Sequence, residues 1–217
     1  MRIRLDDQLE RLNHELVGMG VLCESAIATA AKALLDGDMS LAREAIALEK
    51  DIDQMEQEIE NLCLKILLQQ QPVAKDLRLV SAALKMITDM ERIGDQAADI
   101  AEIVQMGNIT IPNHFLNIGE MSKATIHMVT ESINAFVHRN LQLAQDVIDY
   151  DDVVDGYFET LKMELIELIA ADKKNGEYAL DILMIAKYFE RIGDHATNIA
   201  EWVAFSITGK HEKEGTL

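Results

Sequence analysis

Proline and aromatic residues are scarce in this chain of 217 residues, which contains two prolines and 5% aromatic residues. Proline breaks helices, and aromatic residues are enriched in strands. This composition therefore favours long uninterrupted helices over a sheet-rich fold. Hydrophobic residues nevertheless make up 49% of the chain. That fraction is enough for a real core and too high for a disordered protein.

Cysteine is also scarce, and long apolar runs are missing. The two cysteines, Cys23 and Cys63, do not form a Cys-x-x-Cys pair, so we expect buried free thiols in a reducing compartment. No stretch approaches the roughly 18 uninterrupted apolar residues of a spanning helix, and the first residues lack the apolar segment of a signal peptide. We therefore expect a cytoplasmic protein that is not inserted directly into a membrane.

Positive charge is in short supply. Lysine and arginine number 20 against 38 aspartates and glutamates, which gives a net charge of −18. Residues 1–108 carry 11 basic and 20 acidic residues, and residues 109–217 carry 9 and 18, so the acid is spread along the chain rather than gathered in a tail. Such a surface repels phosphodiester backbones and anionic lipid, which argues against nucleic-acid and membrane-surface partners.

Apolar residues recur in alternating steps of three and four along most of the chain, which is the period of an amphipathic helix. Six such stripes are separated by short polar connections, and short connections place consecutive helices antiparallel. We expect an all-α fold of two tandem antiparallel three-helix bundles, with residues 1–108 and 109–217 as the two domains. The stripes cover residues 5–33, 48–66, 79–104, 118–136, 147–168 and 178–203.

A five-residue sequence occurs twice in the chain. Glu-Arg-Ile-Gly-Asp at residues 91–95 recurs at residues 190–194, and the apolar stripes around the two copies match. We infer a duplication, which predicts two bundles related by a pseudo-twofold and two pseudo-equivalent sites. A glycine inside a helix costs about 1 kcal/mol relative to alanine. Its recurrence, as Gly94 and Gly193, therefore indicates close helix packing at both positions.

Pairs of acidic residues four positions apart lie on the polar side of four predicted helices. At about 100° per residue, each pair faces away from the core of its own bundle. Antiparallel packing brings two pairs together in each half, where the carboxylates repel one another. A multivalent cation would relieve that repulsion because carboxylate oxygens are its preferred ligands, and a solvated acidic surface is the alternative. We call Glu49, Asp53, Glu91 and Asp95 the first acidic face. We call Asp151, Asp155, Glu190 and Asp194 the second acidic face.

Other polar residues lie beside these faces. Asp99 and its counterpart Asn198 lie at the margin of the stripe on the third and sixth helices, and His195 could extend the second acidic face. Arg92 and Arg191 point about 100° aside on the helical wheel. We therefore expect the two arginines to lie beside the acidic faces rather than over them.

The chain resembles the PhoU family over essentially its whole length. The resemblance implies two three-helix bundles and a role in the negative regulation of phosphate uptake and of the phosphate-starvation response. It implies, as partners, the ATPase subunit of the phosphate ABC transporter, the cytoplasmic region of a sensor histidine kinase and a second copy of the chain in a homodimer. The motifs that carry it are Gln71-Pro72-Val73-Ala74-Lys75-Asp76-Leu77-Arg78, residues 91–95 and residues 190–201.

Some members of that family bind multinuclear iron or zinc clusters through Glu/Asp-x-x-x-Asp pairs. The resemblance therefore implies iron or zinc as the cofactor, with one cluster on each acidic face. Asp151 has a shorter side chain than Glu49, which holds the matching position, and Asp152 competes with it as a ligand. Asp99, Asn198 and Asp152 are the possible additional ligands.

Three functions fit paired carboxylates on a helix bundle. We expect a metal-binding regulatory adaptor that is not an enzyme. The alternative is a metal-dependent helical-bundle enzyme, either a carboxylate-metal oxidase or a phosphate-ester hydrolase. Such oxidases use an inward Glu-x-x-His pair, and no histidine here has an acidic residue three positions earlier. A purely structural bundle would leave the repeated Glu-Arg-Ile-Gly-Asp sequence without a cause.

Overall fold

Six long α-helices and one short 3-10 turn make up the described structure. The computed structural model describes residues 2–107, 109 and 116–210, and these residues contain no strand. The all-α prediction is confirmed. The elements are α1 (Arg2–Asp36), α2 (Met39–Gln70), α3 (Lys75–Gly107), α4 (Leu116–His138), α5 (Leu141–Ala171), the 3-10 turn Lys173–Asn175, and α6 (Gly176–Thr208).

Local side-chain chemistry explains where several helices begin and end. Asp38 caps α2 by accepting hydrogen bonds from the backbone N–H groups of Ser40 and Leu41, which satisfies donors that have no partner inside the helix. Asn140 caps α5 in the same way. The connection after α1 has Gly37 at φ 66°, and glycine takes this left-handed conformation at little cost.

The helices extend beyond the apolar stripes that predict them. The second stripe starts at residue 48, whereas α2 begins at Met39, because the buried residues of its first turns are Ala42 and Ala45. These alanines contact the core without adding a strongly apolar signal to the sequence. The predicted division between the two halves cannot be followed closely, since residues 108 and 110–115 lie outside the described residues.

The helices pack as two antiparallel sets of three that share one core. Helices α1, α2 and α3 contact one another, as do α4, α5 and α6, and the two sets meet where α3 packs on α6 and α1 on α4. One contiguous cluster of buried side chains runs through both sets. The α3 and α6 helices are central, because their mutual contact is the more extensive of the two contacts between the sets.

The first helix is unusual in its hydropathy. Residues Arg4–Asp36 form a helix that, by length and composition alone, could cross a membrane, with a mean hydropathy of 1.3 in its most apolar window. No stretch of 18 residues within it consists of apolar residues alone. Half of the window is buried inside the protein, as in the core helix of a bundle.

Both cysteines are free and buried, as predicted. Burial raises the pKa of the Cys23 and Cys63 thiols to about 12. The Cys23 thiol donates a hydrogen bond to the backbone carbonyl of Met90, at 3.4 Å. The two cysteines therefore act as core residues, because a thiol is reactive as its thiolate.

The repeated glycine is a packing residue in both halves. A Cβ atom on Gly94 would lie 2.9 Å from Ile52 Cδ1 and 3.2 Å from Ile52 Cγ2. A Cβ atom on Gly193 would lie 3.4 Å from Val154 Cγ1 and 3.3 Å from Asp151 Oδ1. The glycine on α3 therefore lets α2 approach closely, and the glycine on α6 does the same for α5, as the sequence predicts.

We predict that Gly94→Ala destabilises the protein by about 1–3 kcal/mol, the usual cost of overpacking a core. Alanine improves helix propensity, but its Cβ atom would press on the side chain of Ile52, which is fully buried. The matched control is Gly156→Ala on α5, where a Cβ atom meets nothing within 4 Å, so propensity alone acts and stability rises by up to about 1 kcal/mol. Denaturant unfolding measures both variants, and a Gly94→Ala protein as stable as the wild type would contradict the packing role.

Candidate metal centre

The first acidic face lies where α2 and α3 pack together. The carboxylates of Glu49, Asp53 and Asp95 each offer an oxygen, and these three atoms all lie within 4.8 Å of one another. All three residues are partly buried. The predicted pairing of acidic residues across two helices is therefore present, and the distances suit ligands that share one cation or a small cluster of cations.

Two buried oxygens of the first acidic face lack a hydrogen bond. They are Asp53 Oδ1 and Glu91 Oε2. The second of these has a cationic neighbour, because Arg92 Nε lies 3.4 Å from it. Buried polar atoms without a partner are costly, and they are expected where an ion or water belongs.

Arg92 lies over the first acidic face, contrary to the prediction that it points aside. Its Nη1 atom donates to Asp95 Oδ2 at 3.1 Å, and its Nε atom lies 3.4 Å from Glu91 Oε2. The helical wheel places the Cα–Cβ bond correctly but ignores the reach of a long side chain across three residues. The Arg92 side chain is 54% exposed, so it is a loosely held counter-ion.

Burial and mutual repulsion raise the pKa of several carboxyl groups on the first acidic face. For Glu49 burial is the largest cause, followed by the charges of Asp53 and Asp95. For Glu91 burial again comes first and Asp95 second, while the Arg92 charge acts in the opposite direction. A raised pKa means that ionising these groups is unfavourable without a nearby positive charge.

The second acidic face lies where α5 and α6 pack together, and it is built differently. Burial, followed by the charges of Asp155, Asp194 and Glu190, raises the pKa of Asp151 to about 6. The pKa values of Asp155 and Asp194 are raised by burial first and by Glu190 second, and Lys187 opposes both shifts. Lys187 forms an ion pair with Glu190, so a lysine takes the place that Arg92 has in the first half.

The two faces also differ in how closely their ligand atoms gather. Within residues 2–107, 109 and 116–210, the one set of three acidic, histidine or cysteine side chains with ligand atoms within 4.8 Å of one another belongs to the first acidic face and consists of Glu49, Asp53 and Asp95. On the second face Asp151 lies against the backbone at Gly193, and its side chain is one methylene shorter than that of Glu49.

The additional candidates lie at the joint between α3 and α6. Asn198 donates a hydrogen bond to Asp89 Oδ1 at 3.1 Å, and His195 Nδ1 lies 2.9 Å from the same oxygen. Asp99 is hydrogen-bonded by the Tyr188 hydroxyl, and its pKa is raised by burial, then by Glu102 and Asp95. Asp99 and Asn198 therefore have partners on the opposite helix.

Asp152 is exposed on α5. Its charge contributes to the raised pKa of Asp155, after burial and Glu190. It therefore lies close enough to act electrostatically on the second acidic face, beside Asp151 rather than in its place.

The polar joint between α3 and α6 is the part of this region that the sequence reasoning missed. Asp89 and Tyr188 hold matching positions in the two copies, 99 residues apart, and so do Asp99 and Asn198. In the structure Asp89 pairs with Asn198 and Asp99 pairs with Tyr188, so each pair joins one residue from each copy. The signal in the sequence is that Asp89 corresponds to Tyr188 and Asp99 to Asn198 in the two copies. It can be recognised only if the copies are assumed to pack antiparallel on each other.

Comparison with known proteins agrees with this architecture. A family model described as the PhoU domain matches residues 16–104 and again residues 118–203. A phosphate-specific transport system accessory protein PhoU homolog from Clostridium acetobutylicum is 37% identical over 210 residues, covering 94% of each chain. The corresponding homolog from Pseudomonas aeruginosa is 34% identical over 206 residues, covering 93% of this chain and 84% of its own.

Several crystal structures, including the following two, are similar to this one. PhoU from Pseudomonas aeruginosa has a TM-score of 0.89 at 34% identity and covers 94% of this chain and 99% of its own. The phosphate transport system regulatory protein PhoU from Streptococcus pneumoniae has a TM-score of 0.86 at 27% identity and covers 95% and 98%. Because two PhoU domains account for most of its length and relatives above 30% identity match it nearly end to end, this chain belongs to the PhoU family.

Proposed function

We propose that this protein is a non-enzymatic adaptor that represses phosphate uptake and the phosphate-starvation response. In this role it binds the ATPase subunit of the phosphate ABC transporter and the cytoplasmic region of the sensor histidine kinase. The observation that carries the proposal is the near full-length match to proteins named phosphate-specific transport system accessory proteins. We place the protein in the cytoplasm, as a homodimer.

We further propose that both acidic faces bind multivalent cations, with iron or zinc as the expected metal. The first acidic face would use Glu49, Asp53, Glu91 and Asp95, and the second would use Asp151, Asp155, Glu190 and Asp194, with Asp152 beside them. Clustered ligand oxygens, the unpaired buried Asp53 Oδ1 and the raised pKa values support this assignment. A bound cation would neutralise the carboxylates and link the two helices of each pair.

An enzyme is the second candidate, and one observation favours it. The raised pKa of Asp151, about 6, suits a general base near neutral pH, as a metal-dependent phosphate-ester hydrolase would need. Against an oxidase stands the lack of Glu-x-x-His pairs in the sequence. The adaptor remains our proposal, because long helix faces offer broad surfaces for partner proteins.

The metal assignment predicts a loss of metal-dependent stability in Asp95→Asn combined with Asp194→Asn. A ligand that binds only the folded state, and is present at a free concentration of 100 times its Kd, stabilises the protein by about 2.7 kcal/mol. For a chain of this size that corresponds to a rise of roughly 5–10 °C in Tm. We expect the double variant to lose most of that gain and most of the bound metal. Elemental analysis and thermal melts with and without iron or zinc measure both quantities.

The control is Asp51→Asn combined with Asp149→Asn, which removes exposed acids on α2 and α5 that are not part of either acidic face. It should keep both the metal and the stabilisation. If the Asp95/Asp194 variant has unchanged metal content and an unchanged metal-dependent Tm, the site assignment is wrong.

The raised pKa of Asp151 predicts how the metal-free protein responds to pH. The folded state holds a proton on Asp151 up to about pH 6, whereas an unfolded aspartate loses it near its ordinary value of 3.8. Stability from this group is therefore complete below about pH 4 and is lost as the pH rises through about 6. In chelator, Asp151→Asn should raise the Tm at pH 7.5 and leave it nearly unchanged at pH 4.

Asp149→Asn serves as the control for that experiment, since Asp149 is exposed on the same helix. Its melting curve should follow the wild type at both pH values. A Tm for Asp151→Asn that parallels the wild type from pH 4 to 7.5 would show that carboxylate repulsion on the second acidic face does not limit stability.

The adaptor proposal predicts salt-sensitive binding to both partners. A net charge of −18 favours basic patches on a partner, and such contacts weaken as ionic strength rises. We expect purified protein to retain the transporter ATPase subunit and the kinase cytoplasmic region at low salt and to release them at high salt. Deleting the gene should derepress phosphate-starvation genes in abundant phosphate.

Failure to bind either protein at low salt, together with normal repression in the deletion strain, would refute the adaptor proposal. The enzyme alternative would then be the better account. Phosphate-ester hydrolysis assays with iron-loaded or zinc-loaded protein would test it directly.

A further inference from the structure

The connection between α2 and α3 has an unusual backbone. Gln71 has φ 47° and Ala74 has φ 45°, so two non-glycine residues three positions apart adopt the left-handed conformation that favours glycine. Backbone hydrogen bonds hold the segment, from Asp76 N–H to the Val73 carbonyl and from Arg78 N–H to the Ala74 carbonyl, both at 3.1 Å. Such strain persists only where the surrounding structure imposes it, and it is concentrated at functional sites.

The matching connection in the second half shows that the fold does not require this strain. Between α5 and α6, Asp172 accepts a hydrogen bond from the Lys174 N–H at 3.0 Å, and Asn175 Nδ2 donates to the Leu168 carbonyl at 3.2 Å. Non-glycine residues with positive φ are absent from that turn. A relaxed turn therefore joins the equivalent helices, and the strained one is specific to the first half.

The strained connection carries exposed aliphatic side chains. Leu68 near the end of α2 is 79% exposed, and Val73 in the connection is 73% exposed. Leu64 and Leu77 flank them and are also exposed. We call Leu64, Leu68, Val73 and Leu77 the hairpin tip. Several exposed aliphatic side chains near one connection are typical of a protein interaction site.

Basic residues lie beside the hairpin tip, with the acidic Asp76 and Asp7 among them. Arg4 and Lys65 line a cavity of about 310 Å³ between the start of α1 and the end of α2, together with Asp7 and glutamine side chains. Lys75 is the first residue of α3. Arg78 lies against the end of α6, since a Cβ atom on Gly209 would be 3.5 Å from its Cζ atom. Its Nε atom is buried and has no hydrogen-bond partner.

We propose that the hairpin tip docks into an apolar groove rimmed by carboxylates on the ATPase subunit of the phosphate transporter. This inference rests on the proposed adaptor function and names its contact surface. Exposed aliphatic residues fit the groove and the basic border fits its rim, so this contact is separate from the basic patches that the acidic remainder of the molecule favours on a partner. An anionic lipid surface would repel the rest of the molecule, because the chain carries a net charge of −18.

The test measures the affinity of the purified ATPase subunit for Val73→Asp and for Leu180→Asp. Leu180 is 59% exposed on α6, in the second half, so it is a matched control for placing a charge on an exposed aliphatic position. We expect Val73→Asp to weaken binding at least tenfold and Leu180→Asp to change it less than twofold. Val73→Ser, with a Tm equal to the wild type, should weaken binding in the same direction.

A charge-reversal pair tests the basic border. Lys75→Glu should weaken binding several-fold and reduce its dependence on salt, whereas Lys173→Glu, in the turn before α6, should not. If wild-type protein binds the ATPase subunit and Val73→Asp binds equally well, the docking surface is wrong and the adaptor function stands.

If the wild type binds neither the ATPase subunit nor the kinase, the adaptor function itself is wrong. Two further results would refute docking of the hairpin tip into a groove of the ATPase subunit, although the hairpin tip would still be a contact surface. One is wild-type binding to phosphatidylglycerol vesicles that Val73→Asp abolishes while ATPase binding is unchanged. The other is loss of self-association in Val73→Asp with ATPase binding unchanged.

Discussion

Repulsion among carboxylates held at the contacts of α2 with α3 and of α5 with α6 is the constraint around which this molecule is built. Acidic groups that could separate in water are fixed near one another, and several of their pKa values rise in response. The packing core must offset this cost, since Gly94 and Gly193 bring the same helices closer still. Arg92 and Lys187 offset part of it as counter-ions on exposed, flexible side chains. A flexible counter-ion can be displaced by a multivalent cation, whereas a rigid buried one would hold the faces permanently neutral.

Duplication produced two similar halves, and the contact between them required the copies to diverge. Helices α3 and α6 pack on each other, so a residue in one copy meets a different residue of the other. Asp89 meets His195 and Asn198, while Asp99 meets Tyr188. Identical copies would place aspartate against aspartate or tyrosine against asparagine at these points. The exchange of Asp89 for Tyr188 and of Asp99 for Asn198 between copies avoids the repulsion and satisfies both carboxylates.

Hydropathic period and the repeated Glu-Arg-Ile-Gly-Asp sequence were enough to predict six helices, the packing role of Gly94 and the acidic pairs on neighbouring helices. They were not enough to predict that Arg92 lies over the first acidic face, because a helical wheel describes the Cα–Cβ direction and not the reach of a flexible side chain. Nor did they predict the polar joint of α3 with α6. Each apolar stripe indicates which residues face the core of its own bundle, and it carries no information about contacts between the two bundles. The start of α2 was missed because Ala42 and Ala45 bury little area and so leave only a weak hydropathic signal.

The acidic faces and the hairpin tip belong to the same structural unit in the first half. Glu49 and Asp53 lie on α2, Asp95 lies on α3, and the connection between these two helices carries Val73. In our proposals, a cation on the first acidic face links the two arms of a hairpin whose end contacts the transporter. Linking the arms reduces the conformational freedom that the hairpin loses on docking, and preorganisation of this kind raises affinity without adding a contact. The second half has a comparable acidic face but a relaxed turn at its end, with Asp172 and Asn175 satisfying the backbone. In these proposals both halves therefore bind cations between paired helices, and the first half adds a strained, apolar end for a partner protein.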